Sequence, residues 1–233
     1  MKRIVRSLGG VCVGCAVVSV VSAHGQESGP YVKAEVGPTI TEDVTLTDFL
    51  GLGGGKIEFD PGMRFGIGGG YSFADFVAIG GETGFSFNYI DSISGNFRGE
   101  GDSSIGQVPL LANVVFKLPN RTGLVPFAGA GAGLSFPYFY ADDIVFDPTP
   151  GSPGNGDETI VDGSESDVVF AWQAFAGLKY ALNDRMSLGL AYKYLHAESP
   201  EWEAEDVFTG LDSEISIGDL KTHAVTFIFT FKF

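Results

Sequence analysis

Apolar and polar residues alternate at period two through most of the chain after residue 30. Successive side chains of a strand point to opposite faces, so the alternation predicts strands with two unlike faces. Eight runs show it: residues 31–39, 62–73, 77–90, 105–117, 124–136, 167–180, 186–198 and 220–233. In the run 186–198, Met186, Leu188, Leu190, Tyr192 and Tyr194 share one face, against Ser187, Gly189, Ala191 and Lys193. In 62–73, Met63, Phe65, Ile67, Tyr71 and Phe73 oppose Arg64, Gly66, Gly68, Gly70 and Ser72. The last run sets Phe227, Phe229, Phe231 and Phe233 against Thr226, Thr230 and Lys232.

The connections alternate too. Residues 74–75, 118–122 and 181–184 are tight turns carrying Pro, Asn and Asp, whereas 41–60, 91–104, 137–166 and 197–219 are long. In an up-and-down barrel every second connection leaves from the same rim. The short ones therefore share one rim and the long ones the other, as in barrels that cross an outer membrane. Most runs reach the ~9–11 residues that a tilted strand needs to span a bilayer. Large apolar residues suit lipid, and the opposite face of Gly, Ala, Ser and scattered charges suits a narrow interior filled by side chains. Aromatics gather at the run ends: Phe73, Phe76, Phe116, Tyr180 and Phe231 on the turn side, Tyr89, Phe136, Tyr138 and Tyr194 on the loop side. These are the positions of two interfacial girdles. The fold class expected is all-β: an eight-stranded antiparallel up-and-down transmembrane β-barrel over residues 24–233, with four long external loops and both termini on the periplasmic side of a bacterial outer membrane.

Composition adds two constraints. Residues 1–23 read as a secretory signal peptide: Lys2, Arg3 and Arg6 precede an apolar stretch, and Ala23 is the small residue at the cleavage site. Both cysteines, Cys12 and Cys15, fall inside it, so the mature chain is expected to hold no disulfide. The chain carries a net charge of −15, and the four long connections hold 23 of its 29 Asp and Glu residues, against Lys56 and Arg98 alone. A polyanion such as nucleic acid would be repelled by that charge. The acidic loops have two readings: a solvated, self-repelling surface, or a set of oxygen ligands for divalent cations that bridge to anionic lipopolysaccharide.

The segment 171–195, "AWQAFAGLKYALNDRMSLGLAYKYL", resembles the penultimate hairpin of the small eight-stranded outer-membrane barrels, the opacity-protein-like and OmpA/OmpX-type domains. "VPFAGAGAGLSF" at 125–136 is similar to their fifth strand. The resemblance covers essentially the whole mature chain. It implies that Phe227, Phe229, Phe231 and Phe233 form the signal read by the barrel-assembly machinery, and that lipid and lipopolysaccharide are the immediate partners. It also implies a structural or surface-interaction role, adhesin-like, carried by the loops. No peptidoglycan-binding module of the OmpA type is expected after Phe233.

Candidate chemistry lies on the small face. Lys33, Glu35, Arg64, Glu82, Lys179 and Lys193, joined by Lys232, are expected to face the lumen. Buried charges must pair, so the first reading is a structural ionic network that plugs the barrel; the alternative is a narrow pore for small solutes. An enzyme acting on lipid would need an activated nucleophile. His196 and Ser199, beside Glu198 and Glu201, are the set to weigh, with His196 placed on the inward face of Lys193 and Ser199 in the loop. The expectation is no enzyme, no cofactor and no metal centre.

Overall fold

The computed structural model describes residues 28–49, 55–74, 76–94, 103–118, 123–145, 159–205 and 212–233. The proposed signal peptide lies outside these residues, as does the stretch 146–158 of the third long connection. The strands are β1 (Gly29–Thr41), β2 (Val44–Phe49), β3 (Gly55–Phe59), β4 (Gly62–Ala74), β5 (Val77–Ser94), β6 (Ser104–Lys117) and β7 (Leu124–Val145). They continue with β8 (Thr159–Ser166), β9 (Val169–Ala181), β10 (Met186–Ala197), β11 (Glu201–Glu205), β12 (Asp212–Ile217) and β13 (Leu220–Lys232).

Each of the eight alternating runs is a strand, and together they close into one ring. β1 pairs with β4, β4 with β5, β5 with β6, β6 with β7, β7 with β9, β9 with β10 and β10 with β13, all antiparallel. β13 then returns to β1, with Tyr31 opposite Lys232 and Thr41 opposite Thr222. The result is a closed eight-stranded barrel. Closure leaves no free edge in the ring, the condition for a sheet to sit in lipid.

The outer surface is the large apolar face. Phe227 is 65% exposed and Ile67 63%, and Phe73, Phe116 and Tyr180 are exposed at the turn rim. A water-soluble barrel would bury those side chains. Gly, Ala and Ser do line much of the inside, but the interior also holds large apolar residues that the small-face reading omits. Phe127, Phe175 and Ile228 pack with Ala191 and Val115 in the half nearer the turns. At the other mouth, Ile105, Leu195 and Leu220 join Val44, Ile57 and Ile217 from the long connections in a second buried cluster.

That second cluster exposes a larger difference. Among the described residues, the long connections contain five further strands. β12 pairs with β2, β2 with β3, and β3 with the outer part of β5, so β11–β12–β2–β3–β5 continues the barrel wall beyond the ring. β8 pairs with the outer extension of β7. These runs are five to eight residues long; β2 and β3, and β11 and β12, pair locally, whereas β12 and β2 are remote in sequence. They meet because the ring sets β1 beside β13, which brings the first and fourth long connections side by side.

Candidate functional site

The middle of the lumen is an ionic cluster. β1 supplies Lys33 and Glu35, β4 supplies Arg64, β5 supplies Glu82 and β10 supplies Lys193. Arg64 donates from Nε to Glu35 Oε1 at 3.1 Å and from Nη2 to Glu82 Oε1 at 2.8 Å. Lys193 Nζ donates to the same two oxygens, at 2.7 and 2.6 Å. Lys33 donates to Glu35 Oε2 at 3.2 Å and also to Glu82 Oε2. Both carboxylate side chains are fully buried. Two carboxylates thus share three cations, each cation touching both. Asn113 of β6 donates to Glu82 at 3.4 Å, and Gln173 of β9 donates to Asn113 Oδ1 at 2.7 Å, which carries the polar contacts across to the far wall.

Glycines make the room. β4 places Gly66 and Gly68 on the inward face beside Arg64. A Cβ on Gly66 would sit 2.8 Å from Glu35 Cγ, and one on Gly68 would sit 2.9 Å from Lys33 Cε. Above the cluster, toward the long connections, lies a neutral ring. Thr41 donates to Asn88 Oδ1 at 2.9 Å, and Gln107 Nε2 donates to Thr222 Oγ1 at 3.2 Å.

Lys179 also faces inward, but it does not touch the two carboxylates; its Nζ stands 5.4 Å from the centre of the Phe127 ring. Lys179 and Lys232 instead line a cavity of about 180 Å³ at the turn end. The size of this cavity and the aromatic floor beneath it were not anticipated from sequence. The odd numbering of Phe127 and Phe175, shared with Gly129, Gly131 and Gly133 in one run and with Gln173, Gly177 and Lys179 in the other, was the available signal. Phe227 and Phe229 point outward on β13, and Phe233 is 72% exposed beyond it.

The His–Ser–acid set is not arranged for catalysis. His196 lies three positions from Lys193, on the other face of a regular strand, so the expected inward placement is corrected: its ring stacks on outward Trp172, with centroids 5.4 Å apart. Ser199 Oγ donates to Asp219 Oδ1 at 2.9 Å, while His196 Nε2 lies 3.6 Å from Asp219 Oδ2. An activated serine needs the imidazole between hydroxyl and carboxylate. Here the carboxylate stands in the middle and holds the hydroxyl itself. His223 lies at the same rim, with Nδ1 2.6 Å from Tyr192 Oη and Nε2 2.9 Å from Glu42 Oε1. On the extension, Lys56 bonds Asp43 at 2.7 Å and Glu58 at 2.9 Å, contacts that push its ammonium upward from the usual lysine range.

Residues 11–233 match the family model described as outer membrane protein beta-barrel domain. Among solved structures, the outer membrane protein OprG from Pseudomonas aeruginosa aligns at 15% identity and a TM-score of 0.60, over 90% of this chain and 99% of that one. Neisserial surface protein A aligns at 14% identity and 0.52, over 88% and 99%. The outer membrane protease OmpT from Escherichia coli aligns at 10% identity and 0.51, over 88% and 97%. At these identities the likeness is one of fold. None of the curated proteins matches the chain.

Proposed function

Since the chain belongs to the outer membrane protein β-barrel family, we propose that it is a non-enzymatic surface protein whose outer extension docks against cation-bridged lipopolysaccharide. The observation that supports this reading is the register of the outermost hairpin. Glu203 of β11 stands opposite Glu214 of β12, and Glu205 stands opposite Asp212. Like charges directly opposite one another in a sheet are destabilising. Two acidic pairs, on either side of the neutral pair Ala204 and Ser213, call for a counter-charge from outside the chain. Divalent cations take carboxylate oxygens, retain free coordination positions and can share them with phosphate groups of neighbouring lipid.

The interior supports the same reading. With Glu35 and Glu82 buried and shared by Lys33, Arg64 and Lys193, the middle of the lumen is filled by charge pairs. Solute passage would require that cluster to break. The short turns and both termini are assigned to the periplasmic side and the extension to the cell exterior.

The test is binding of lipopolysaccharide to the protein in nanodiscs, with calcium and with chelator, for the wild-type chain and for Glu203→Gln with Glu205→Gln. Calcium-dependent binding lost in the variant is expected. Binding that is equal with chelator, or equal in the variant, overturns the proposal.

A further inference from the structure

The cavity at the turn end has a different electrostatic character from the rest of the molecule. The chain as a whole carries −15, yet Lys117, Lys179, Lys232 and Arg185 line this cavity and Asp184 is the one carboxylate among its lining residues. Lys33 and Lys193 close its deep end and are held by Glu35 and Glu82. Lys179 and Lys232 have no carboxylate partner among the described residues. Like cations crowded together without counter-charge are unfavourable, and an anion entering between them would relieve the repulsion.

A second, independent feature points into the same space. Thr230 lines the cavity and is 4% exposed, and its Oγ1 makes no hydrogen bond. A buried hydroxyl without a partner is uncommon and costly. It can donate to an anionic oxygen placed between the lysines, since a hydroxyl proton rotates to suit its acceptor.

The remaining wall is apolar. Phe127, Phe175, Val115 and Ile228 form it, and Lys179 stands over the Phe127 ring. A highly charged, strongly hydrated anion such as phosphate would lose water against these rings without replacement donors. A carboxylate with a hydrocarbon body satisfies both halves. The volume of about 180 Å³ is below the size of a drug-like site, so the body is short.

We propose that this turn-side cavity binds a monocarboxylate with a short, compact apolar body, its head between Lys179, Lys232 and Thr230 and its body on Phe127 and Phe175. The site is independent of the lipopolysaccharide reading, because it lies at the opposite mouth with the ionic cluster between the two.

The experiment uses the full barrel in nanodiscs of zwitterionic lipid, followed by amide NMR. Hexanoate, hexanol, acetate and inorganic phosphate are the probes. Hexanoate is expected to give saturable shifts at Lys179, Thr230 and Lys232, binding at least roughly tenfold more tightly than hexanol, the factor one charge-assisted hydrogen bond supplies, and more tightly than acetate and phosphate, which lack the hydrocarbon body that the apolar wall buries. Lys179→Gln with Lys232→Gln should weaken hexanoate by at least roughly tenfold on the same ground. Ser187→Trp, which keeps both lysines and fills the lined space, should abolish the shifts. Unchanged amide positions at the far mouth show that each variant is folded. Hexanol binding as tightly as hexanoate would reduce the site to an apolar crevice. Phosphate or acetate binding as tightly would reduce it to a charged patch. Either outcome, the absence of shifts with hexanoate, or an unchanged affinity in the double variant overturns the proposal.

Discussion

Glu82 illustrates how one inward position carries the interior. It accepts hydrogen bonds from Lys33, Arg64 and Lys193, side chains of three different strands. Removing one member of a fully buried ion pair costs about 3–5 kcal/mol, so Glu82→Gln should destabilise the barrel by that order in urea unfolding in detergent. Arg64→Gln should cost less in the Glu82→Gln background than in the wild-type chain, because the unpaired excess of positive charge falls. A double-mutant cycle measures the coupling, expected at about 0.5–3 kcal/mol; strict additivity would mean that the two groups do not interact. Gly66→Ala tests the same cluster from the side of space. Its Cβ would meet Glu35 Cγ at 2.8 Å, and overpacking of this kind costs about 1–3 kcal/mol. A variant as stable as wild type would show that Glu35 moves freely. The inward parity of Lys33, Glu35, Arg64, Glu82 and Lys193 was legible in the sequence, since alternation assigns every residue of a strand to a face. Which cation meets which carboxylate was not legible, because that depends on the stagger between strands. The same parity rule places His196 outside, opposite to Lys193, and reading it as inward was an error of counting rather than of physics.

At the scale of elements, the eight ring strands were legible because each is long enough for its alternation to stand out. The extension was not. β2, β3, β11 and β12 are five or six residues each, and acidic residues interrupt their alternation. Their stability comes from cross-strand partners and from Val44, Ile57 and Ile217 in the buried cluster at the mouth. Such contacts are invisible until the ring has brought the connections together. Proteolysis of intact cells tests the orientation that these elements are given. Cleavage is expected only within 41–60, 91–104, 137–166 and 197–219, and fragment masses should place the cuts outside β3 and β12, whose ladders must open before a protease can act. A cut at Asp184 in cells with a sealed outer membrane would invert the assigned topology.

Taken whole, the molecule is a stack of layers along the barrel axis. An apolar cluster closes the long-connection mouth, a neutral ring and the ionic cluster fill the middle, and Phe127 and Phe175 floor the turn-side cavity. No open-state conductance is therefore expected in planar bilayers. Glu82→Gln should leave the barrel non-conducting as well, since the apolar cluster at the mouth remains. A steady conductance of the wild-type protein would show that the layers part. A plug of charges and small residues was legible in the sequence. Large apolar side chains also do much of the filling, at Phe127 and Phe175, whose inward places follow from position in the strand and not from residue type.

The pairing of β1 with β13 has a consequence for the order of events in biogenesis. Every other junction in the ring joins strands that are neighbours in the ring order of the chain, whereas this one sets Tyr31 against Lys232. Contacts so remote in sequence form slowly. Until they form, the chain is a curled ribbon with two bare borders, each able to recruit a second molecule. Gly37 sits at this junction, and a Cβ there would strike the Val225 carbonyl oxygen. Gly37→Val should therefore slow the final docking step and divert newly made protein into aggregates, leaving less completed barrel in the membrane.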